Sequence, residues 1–433
     1  MTQTVNDTSE ALAATASDAK RSRVAAHAGI TFAGLMFANV MQFVFYALVT
    51  RTIGVEAYGT FSSLIAFVLI LAAPALIAQM VVAKLATDMS VDPDRLAGLV
   101  RAIDRVTVMV ALAAGFAIVV LSIPLAAFLH VSDPVLVVFA GLSLCGAIAL
   151  PFLRGVLQGT SAFGAFALSN VSEALGKALF APVLGLVAGV RGAMAGLAIG
   201  YAAATAYTFF AGVPHRRGEH VPFSLRTIAR SSATVALAVF CVNVLLLYDV
   251  VLAKRYLDAN TAGLYGAAAL ASRALFAVIA FIPTVLLPQA AVRAARGERT
   301  RWLFVQALVV TTVIAAVTVT VFSLFPRLVI TTITRQIFAG GAAYLGTYVY
   351  AIAVLALANV IATYNIARGR MRFVVPLACV AVGEVVSVVL RHRSAADFLQ
   401  TIAIGHTLAL LACAVSLGRS APGAQSGAPR TTA

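Results

Sequence analysis

Apolar residues run through this chain in long blocks separated by short polar stretches, and each block is close to the roughly 20 residues a helix needs to cross a bilayer core about 30 Å thick. Twelve blocks are readable, at 27–50, 59–82, 107–128, 135–153, 165–187, 193–212, 231–252, 265–289, 303–325, 343–366, 373–390 and 399–417. The fifth is the least apolar, because it carries Glu173 and Lys177. Only a Gly-Val-Arg-Gly turn at 189–192 separates it from the sixth. Between Asp92 and Val106, an Asp-Pro start and apolar positions at helical spacing predict a helix lying along the membrane interface. The pattern predicts an all-α, polytopic membrane protein of about twelve transmembrane helices.

Composition removes the alternatives. The chain is 61% hydrophobic and 11% charged, whereas a soluble domain carries about 25% charged residues. So apolar a chain cannot stay solvated as a disordered one. The net charge of +15 raises the question of nucleic acid, and the positions of the charges answer it. With both termini cytoplasmic, the inner segments hold 21 Lys and Arg residues, the outer loops hold 8, and only Lys177 and Arg273 lie within spans. That is the positive-inside bias expected of an inner membrane protein, with its basic excess facing anionic lipid. No nucleic-acid partner is expected.

The segments then read as a cytoplasmic tail (1–26), a first six-helix bundle (27–212), a cytoplasmic linker (213–230), a second six-helix bundle (231–417) and a second tail (418–433). The first apolar block lacks the short core and cleavage site of a signal peptide, so it is expected to be retained. Cys145, Cys241, Cys379 and Cys413 all fall in apolar runs and read as small buried hydrophobes. The loops leave no room for a soluble catalytic domain. No nucleotide loop, metal-ligand cluster or nucleophile triad is visible, so no cofactor is expected.

The two halves echo each other. Span two opens Tyr58-Gly59 and carries Pro74, and span eight opens Tyr265-Gly266 and carries Pro283. Arg154-Gly155 follows span four, and Arg368-Gly369 follows span ten. A shift of six spans preserves orientation, so these are parallel repeats, two bundles related by a pseudo-two-fold axis along the membrane normal.

The stretch Arg51-Thr-Ile-Gly-Val-Glu-Ala-Tyr-Gly59 resembles the R-x-x-G-x-x-x-Y-G approach to helix two of the polysaccharide flippases, the O-antigen and exopolysaccharide transporters of the multidrug/oligosaccharidyl-lipid/polysaccharide exporter superfamily. Gly155-Val-Leu-Gln-Gly159 is similar to their G-x-x-Q-G after helix four. Asp249, Ala262-Gly-Leu-Tyr-Gly266, Arg273 and Pro283 resemble their helix seven to helix eight region. The likeness spans most of 27–390 through short motifs, and the two extra helices usual in the related lipid II flippases are lacking. It implies an undecaprenyl-pyrophosphate-linked glycan as substrate, a bacterial inner membrane setting, and a polysaccharide polymerase and glycosyltransferases as pathway partners. It also implies a cationic central cavity for the pyrophosphate, with Arg273 at the position of a helix-eight arginine.

A charge at the bilayer centre costs at least about 2.5–3.5 kcal/mol, so the ions inside spans are the first functional candidates. Glu173 and Lys177 are four apart in the order that favours pairing on one helical face; the pair either locks packing or opens to an anionic head group. Arg273 lies about 12 Å into span eight, too deep to snorkel freely, and its guanidinium can grip a phosphate bidentately. Alternatively it forms a structural ion pair with Asp249 or Glu384. Those two acids are candidates for a coupling ion or for counter-ions, as is Glu173. Arg51, Lys84 and Arg154 sit at span ends, where interfacial anchoring is the ordinary role. Arg154 gains interest from the glycines beside it, which in a loop could bring backbone to a phosphate. Asn39 and Gln42, close together in span one, are the neutral candidates for hydrogen bonds to sugar hydroxyls, while Gln79, Asn170, Asn243, Asn359, Asn365 and His406 read as helix glue. Gly192, Gly196 and Gly200 form a small-xxx-small packing stripe.

The expected function is flipping a lipid-pyrophosphate-linked oligosaccharide from the cytoplasmic to the outer leaflet, by alternating access around a cationic cavity. The substrate set is Arg273, Lys177, Arg154, Arg51, Asn39 and Gln42. The alternative is a cation-coupled drug or small-molecule exporter of the same superfamily, which would place Asp249 and Glu384 at the cavity. An O-antigen ligase or polymerase is disfavoured by the short outer loops. A sugar facilitator is disfavoured because 83–106 lacks the G-x-x-x-D-R/K-x-G-R-R/K pattern.

Overall fold

The computed structural model describes residues 33–216, 226–279 and 301–417, with the isolated positions 282 and 293. The expected tails, most of the linker, Pro283 and the far end of span eight lie outside the described residues. Within them every regular element is helical. The helices are α1 (Ala33–Thr52), α2 (Val55–Met89), α3 (Pro93–Val120), α4 (Ser122–Phe128), α5 (Pro134–Gly159), α6 (Phe163–Ala211) and α7 (Arg226–Tyr256). Then come α8 (Ala259–Ile279), α9 (Arg301–Leu324), α10 (Pro326–Ile333), α11 (Ala342–Ala367), α12 (Val374–Leu390) and α13 (Ala395–Ala414).

Eleven helices among the described residues are long and apolar enough to cross a membrane. One of these is the 49-residue α6, which breaks at Ala188 and Gly189. Gly189 has φ +57°, a conformation glycine tolerates at no steric cost. The halves of α6 fold back on each other as the predicted fifth and sixth spans, giving twelve. The glycine stripe makes the hairpin tight: a Cβ on Gly196 would fall within the backbone of Phe180, and one on Gly200 would lie 2.7 Å from the Lys177 nitrogen.

Two expectations change. The segment 92–106 is the start of α3, not a helix along the interface. Asp92 caps it by accepting from the backbone nitrogens of Asp94 and Arg95, with Pro93 in the first turn. Its apolar face (Leu96, Leu99, Val100, Ile103) packs on Val82 and Ala86 of α2. At 35 residues, α2 is about 52 Å long and outruns the bilayer, so the apolar spacing serves a helix–helix contact instead of a lipid one. The predicted third span ends at Leu121, and Pro124 sits in the short α4. The second correction concerns Arg154-Gly155, which lies inside α5 and not in a loop. Gly155 and Gly159 are helical contact points, their missing side chains letting α5 approach Gln79, Val82, Ala83 and Ala86 of α2. Its repeat partner does end a helix, with Gly369 at φ +67° after α11.

The helices form two bundles in the parallel-repeat arrangement, and α2 and α8, the equivalent helices of each half, meet along the seam between them. A Cβ on Gly59 would lie 2.9 Å from the Gly263 nitrogen, and one on Gly266 would lie 2.7 Å from the Ser62 hydroxyl. The residues that betray the repeat are therefore those that let the repeats touch. One hydrophobic core joins both bundles at the Arg51 end, through Ile53, Tyr58, Phe61, Val250, Val251 and Tyr265 among others. Toward the other end the described residues divide into separate cores, one in each bundle.

Replacing Gly196 by valine is expected to lower stability by at least the overpacking cost of about 1–3 kcal/mol. Gly164, where an added Cβ would meet nothing within 4 Å, should accept alanine without loss. Thermal unfolding of the two purified variants in detergent checks both.

Candidate functional site

Beneath the joined end, the seam opens into a cavity of about 210 Å³. Asn39, Gln42, Phe43 and Tyr46 of α1 and Tyr58 and Ser62 of α2 line one side. Leu247 of α7 and Gly266, Leu270 and Arg273 of α8 line the other. Three of the expected substrate residues, Arg273, Asn39 and Gln42, thus share one wall space. Asn39 and Gln42 are about one turn apart on α1, so a single helical face delivers both.

The helix that carries Arg273 starts earlier than the sequence pattern places the span. Because α8 begins at Ala259, the arginine lies fourteen residues, about 21 Å, from the helix start. Its Nη2 donates to Asp249 Oδ1 at 2.7 Å and to the Tyr348 hydroxyl at 3.2 Å. The second oxygen of Asp249 accepts from Tyr265 at 2.9 Å and from Tyr348. Asp249 therefore accepts three hydrogen bonds, with a donor on each oxygen. Arg273 is not fully occupied, since its Nε is buried without a hydrogen-bond partner and its side chain keeps 19% exposure toward the cavity. Of the two roles open to Arg273, the structure shows both geometries at once: an ion pair with Asp249, and a place on the cavity wall.

The other charged candidates are arranged apart from the cavity lining. Glu173 accepts from Lys177 at 2.6 Å and from Arg154 at 2.7 Å. Arg154 also donates from Nε to the Ser169 hydroxyl at 2.9 Å and from Nη2 to the Ser169 carbonyl at 2.8 Å. Both cations are buried, so Arg154 is no interfacial anchor; it is held inside the first bundle between α5 and α6. Lys177 lies 4.8 Å from the Tyr201 ring centre and 5.9 Å from that of Phe45, contacts that favour a cation. Tyr46, by contrast, lines the cavity together with Arg273. Arg51 sits at the joined end, exposed, donating to the Thr332 carbonyl of the other bundle at 3.4 Å, while Arg335 donates to its own carbonyl at 3.2 Å. It bridges the bundles far from the cavity lining.

Glu384 is buried in the second bundle, accepting from Tyr248 at 2.8 Å, with its other oxygen unpartnered. His406 Nε2 lies 3.5 Å away, and the two ring nitrogens of His406 face the carbonyls of Ala351 and Leu245. Gly405 makes room, because a Cβ there would overlap the Glu384 carboxylate. Glu384 does not pair with Arg273. Asn365, read as helix glue, donates to the Cys413 carbonyl at 2.9 Å. The phenols of Tyr248, Tyr265 and Tyr348 were missed as partners of the acids. Their signal was present, since a buried carboxylate demands donors, but which of eleven tyrosines supply them is decided by packing.

A sequence model of the family described as polysaccharide biosynthesis protein matches residues 24–292. No curated protein matches the sequence. Among solved structures, the chain is similar to an inward-facing multidrug resistance transporter of the MATE family and MOP superfamily, with 14% identity and a TM-score of 0.67 over 88% of this chain and 95% of that one. It is also similar to the lipid II flippase MurJ in an inward closed conformation, with 12% identity and a TM-score of 0.64 over 89% and 87%. An outward-facing MATE transporter matches at 13% identity and a TM-score of 0.60, over 88% and 93%. At these identities the likeness is one of fold.

Removing one member of a buried ion pair costs about 3–5 kcal/mol, much of it from the charge left behind. Asp249→Ala is therefore expected to destabilise the protein on that scale, and adding Arg273→Met to restore most of the loss. Melting temperatures of the single and double variants test this.

Proposed function

Since the chain belongs to the family of polysaccharide biosynthesis proteins, we propose that it flips a lipid-pyrophosphate-linked oligosaccharide from the cytoplasmic to the outer leaflet of a bacterial inner membrane. The observation that carries this reading is the Arg273 guanidinium on the wall of a cavity between two bundles. In the empty protein Asp249 neutralises it. A phosphate entering the cavity competes for the same guanidinium, so the internal pair keeps the resting cavity uncharged and yields to a stronger anion. Asn39 and Gln42 on the facing helix supply donors and acceptors for sugar hydroxyls. The phenols of Tyr265 and Tyr348 keep Asp249 satisfied while the arginine is engaged elsewhere.

Transport proceeds by the bundles rocking about the α2–α8 seam. The joined Arg51 end is the outer face if both termini are cytoplasmic, so the described conformation receives substrate from inside. The sugar head crosses in the cavity and the lipid tail stays in the bilayer. For a substrate keeping two negative charges, an inside-negative potential favours outward passage by about 2.3 kcal/mol per charge per 100 mV. Lys177 and Arg154 contribute positive field from behind the lining, with Glu173 as their counter-ion. Asp249 and Glu384 remain the candidate coupling positions. Glycosyltransferases supply the substrate and a polymerase consumes it.

A second reading, a cation-coupled exporter of small molecules, is favoured by one observation, the unpartnered oxygen of buried Glu384. It needs an acid and not a guanidinium facing the cargo.

In a deletion strain, Arg273→Ala, which leaves Asp249 still held by the Tyr265 and Tyr348 phenols and so costs less than losing the acid, is expected to restore membrane protein abundance but not surface polysaccharide, with lipid-linked sugar accumulating on the cytoplasmic side. Normal surface polymer from this variant overturns the reading. Drug sensitivity without sugar accumulation in the deletion strain favours the exporter instead.

A further inference from the structure

The joined end is fastened by a contact whose chemistry depends on one proton. His130 follows α4 in the first bundle, and Arg255 ends α7 in the second. His130 Nδ1 lies 2.8 Å from the Arg255 carbonyl, and Arg255 Nη1 lies 2.7 Å from His130 Nε2. A carbonyl can only accept, so Nδ1 carries a hydrogen. A guanidinium can only donate, so Nε2 must offer its lone pair. Both contacts are satisfied by one species, the neutral imidazole with its hydrogen on Nδ1. In the imidazolium, an N–H on Nε2 would face an N–H of a permanent cation.

The backbone presents the ring for this contact. Val131 donates to the Ala126 carbonyl and His130 to that of Ala127, the paired bonds that close a helix on a left-handed residue. His130 occupies that position at φ +50°, where glycine is the ordinary choice. The Arg255 guanidinium is further held over the Phe128 ring at 5.3 Å. His130 is exposed, so protons reach it from the solvent at that end.

We infer that His130 and Arg255 form a proton-released latch between the bundles: neutral histidine holds the Arg51 end closed, and protonation there repels Arg255 and lets that end open. The inference rests on the rocking motion of the proposed function, but not on what is carried. The charges around the latch do not cancel the effect. Asp133, on the same loop, is engaged by Arg191 of the α6 hairpin. Glu56 of α2 and Lys254 of α7 line the adjoining polar cavity and oppose each other in charge. On the far side of Arg255, Tyr256 stacks on His392 at 4.1 Å, between Arg391 and Arg393. Of the acids there, Asp258 accepts from the Thr261 nitrogen at the start of α8 and Asp397 accepts from the Ser394 hydroxyl at the start of α13. A proton on His130 Nε2 therefore faces, at hydrogen-bond distance, the Arg255 guanidinium itself.

The test is a distance across that end. Spin labels on Ala188→Cys and Arg393→Cys, with Cys145 and Cys379 replaced by serine, report the separation of the bundles in nanodiscs without substrate. Between pH 8 and about pH 5 the fraction of long distances is expected to rise severalfold. His130→Asn, which tolerates the left-handed backbone and offers a neutral donor and acceptor, should stay short at both values. His130→Gly, which suits the backbone and removes the ring, should be long at both. His392→Gln should respond as the unmodified protein does. A distribution that ignores pH, or an acid response that survives in His130→Asn or His130→Gly, overturns the latch. Because no substrate is present, that outcome leaves the Arg273 reading standing, and failure of Arg273→Ala to affect polysaccharide leaves the latch standing.

Discussion

Charge inside hydrocarbon must be answered by charge or by hydrogen bonds, and the pairing of Arg273 with Asp249 is where this constraint shapes the protein most. Asp249 comes from α7 and Arg273 from α8, and the phenols that complete the acid come from α8 and α11. Three helices of the second bundle are thus fixed to one another by a polar cluster at the edge of the cavity. The cost of burying the ions is offset only with this geometry complete, so the cluster serves as a structural clamp. Besides the arginine, the acid keeps two phenol donors of its own.

The same constraint acts differently in the first bundle. There one acid, Glu173, serves two cations, and both cations are buried away from the cavity lining. Ser169 and the rings of Phe45 and Tyr201 complete their surroundings. The group carries an excess positive charge but presents no open donor to the cavity, so its influence there is a field and not a contact.

Much of the fold was legible because the bilayer imposes one rule, a long apolar run for each crossing, and the chain obeys it. The α6 hairpin was readable from Gly189 to Gly192 because a sharp reversal needs a residue that accepts positive φ. The start of α3 was misplaced because Leu96, Leu99, Val100 and Ile103 give the same periodicity whether they face lipid or α2. Nothing in the sequence states how far α2 extends to meet them. Arg154 was misplaced for a related reason: a basic residue followed by glycine looks like a helix end, and only the approach of α2 shows that Gly155 is small to admit a neighbour. At the site, Arg273, Asn39 and Gln42 stood out because polar groups in apolar runs are conspicuous. Their phenolic partners did not, since a tyrosine in a span is unremarked until an acid is found beside it.

The repeat and the chemistry are separable. Tyr58-Gly59 and Tyr265-Gly266 recur because each bundle needs a glycine where α2 and α8 come close to one another, and that need is symmetric. The charges carry no such requirement, and they have diverged: an acid with two tyrosines and a cavity-facing arginine in one half, an acid with two sealed cations in the other. A two-fold arrangement of helices therefore encloses a one-sided cavity, whose cation belongs to the second bundle and whose amides belong to the first. An anionic head group attached to sugars has the same polarity, charge at one end and hydroxyls at the other. Such a ligand would touch both bundles at once, because the cavity lining comes from both.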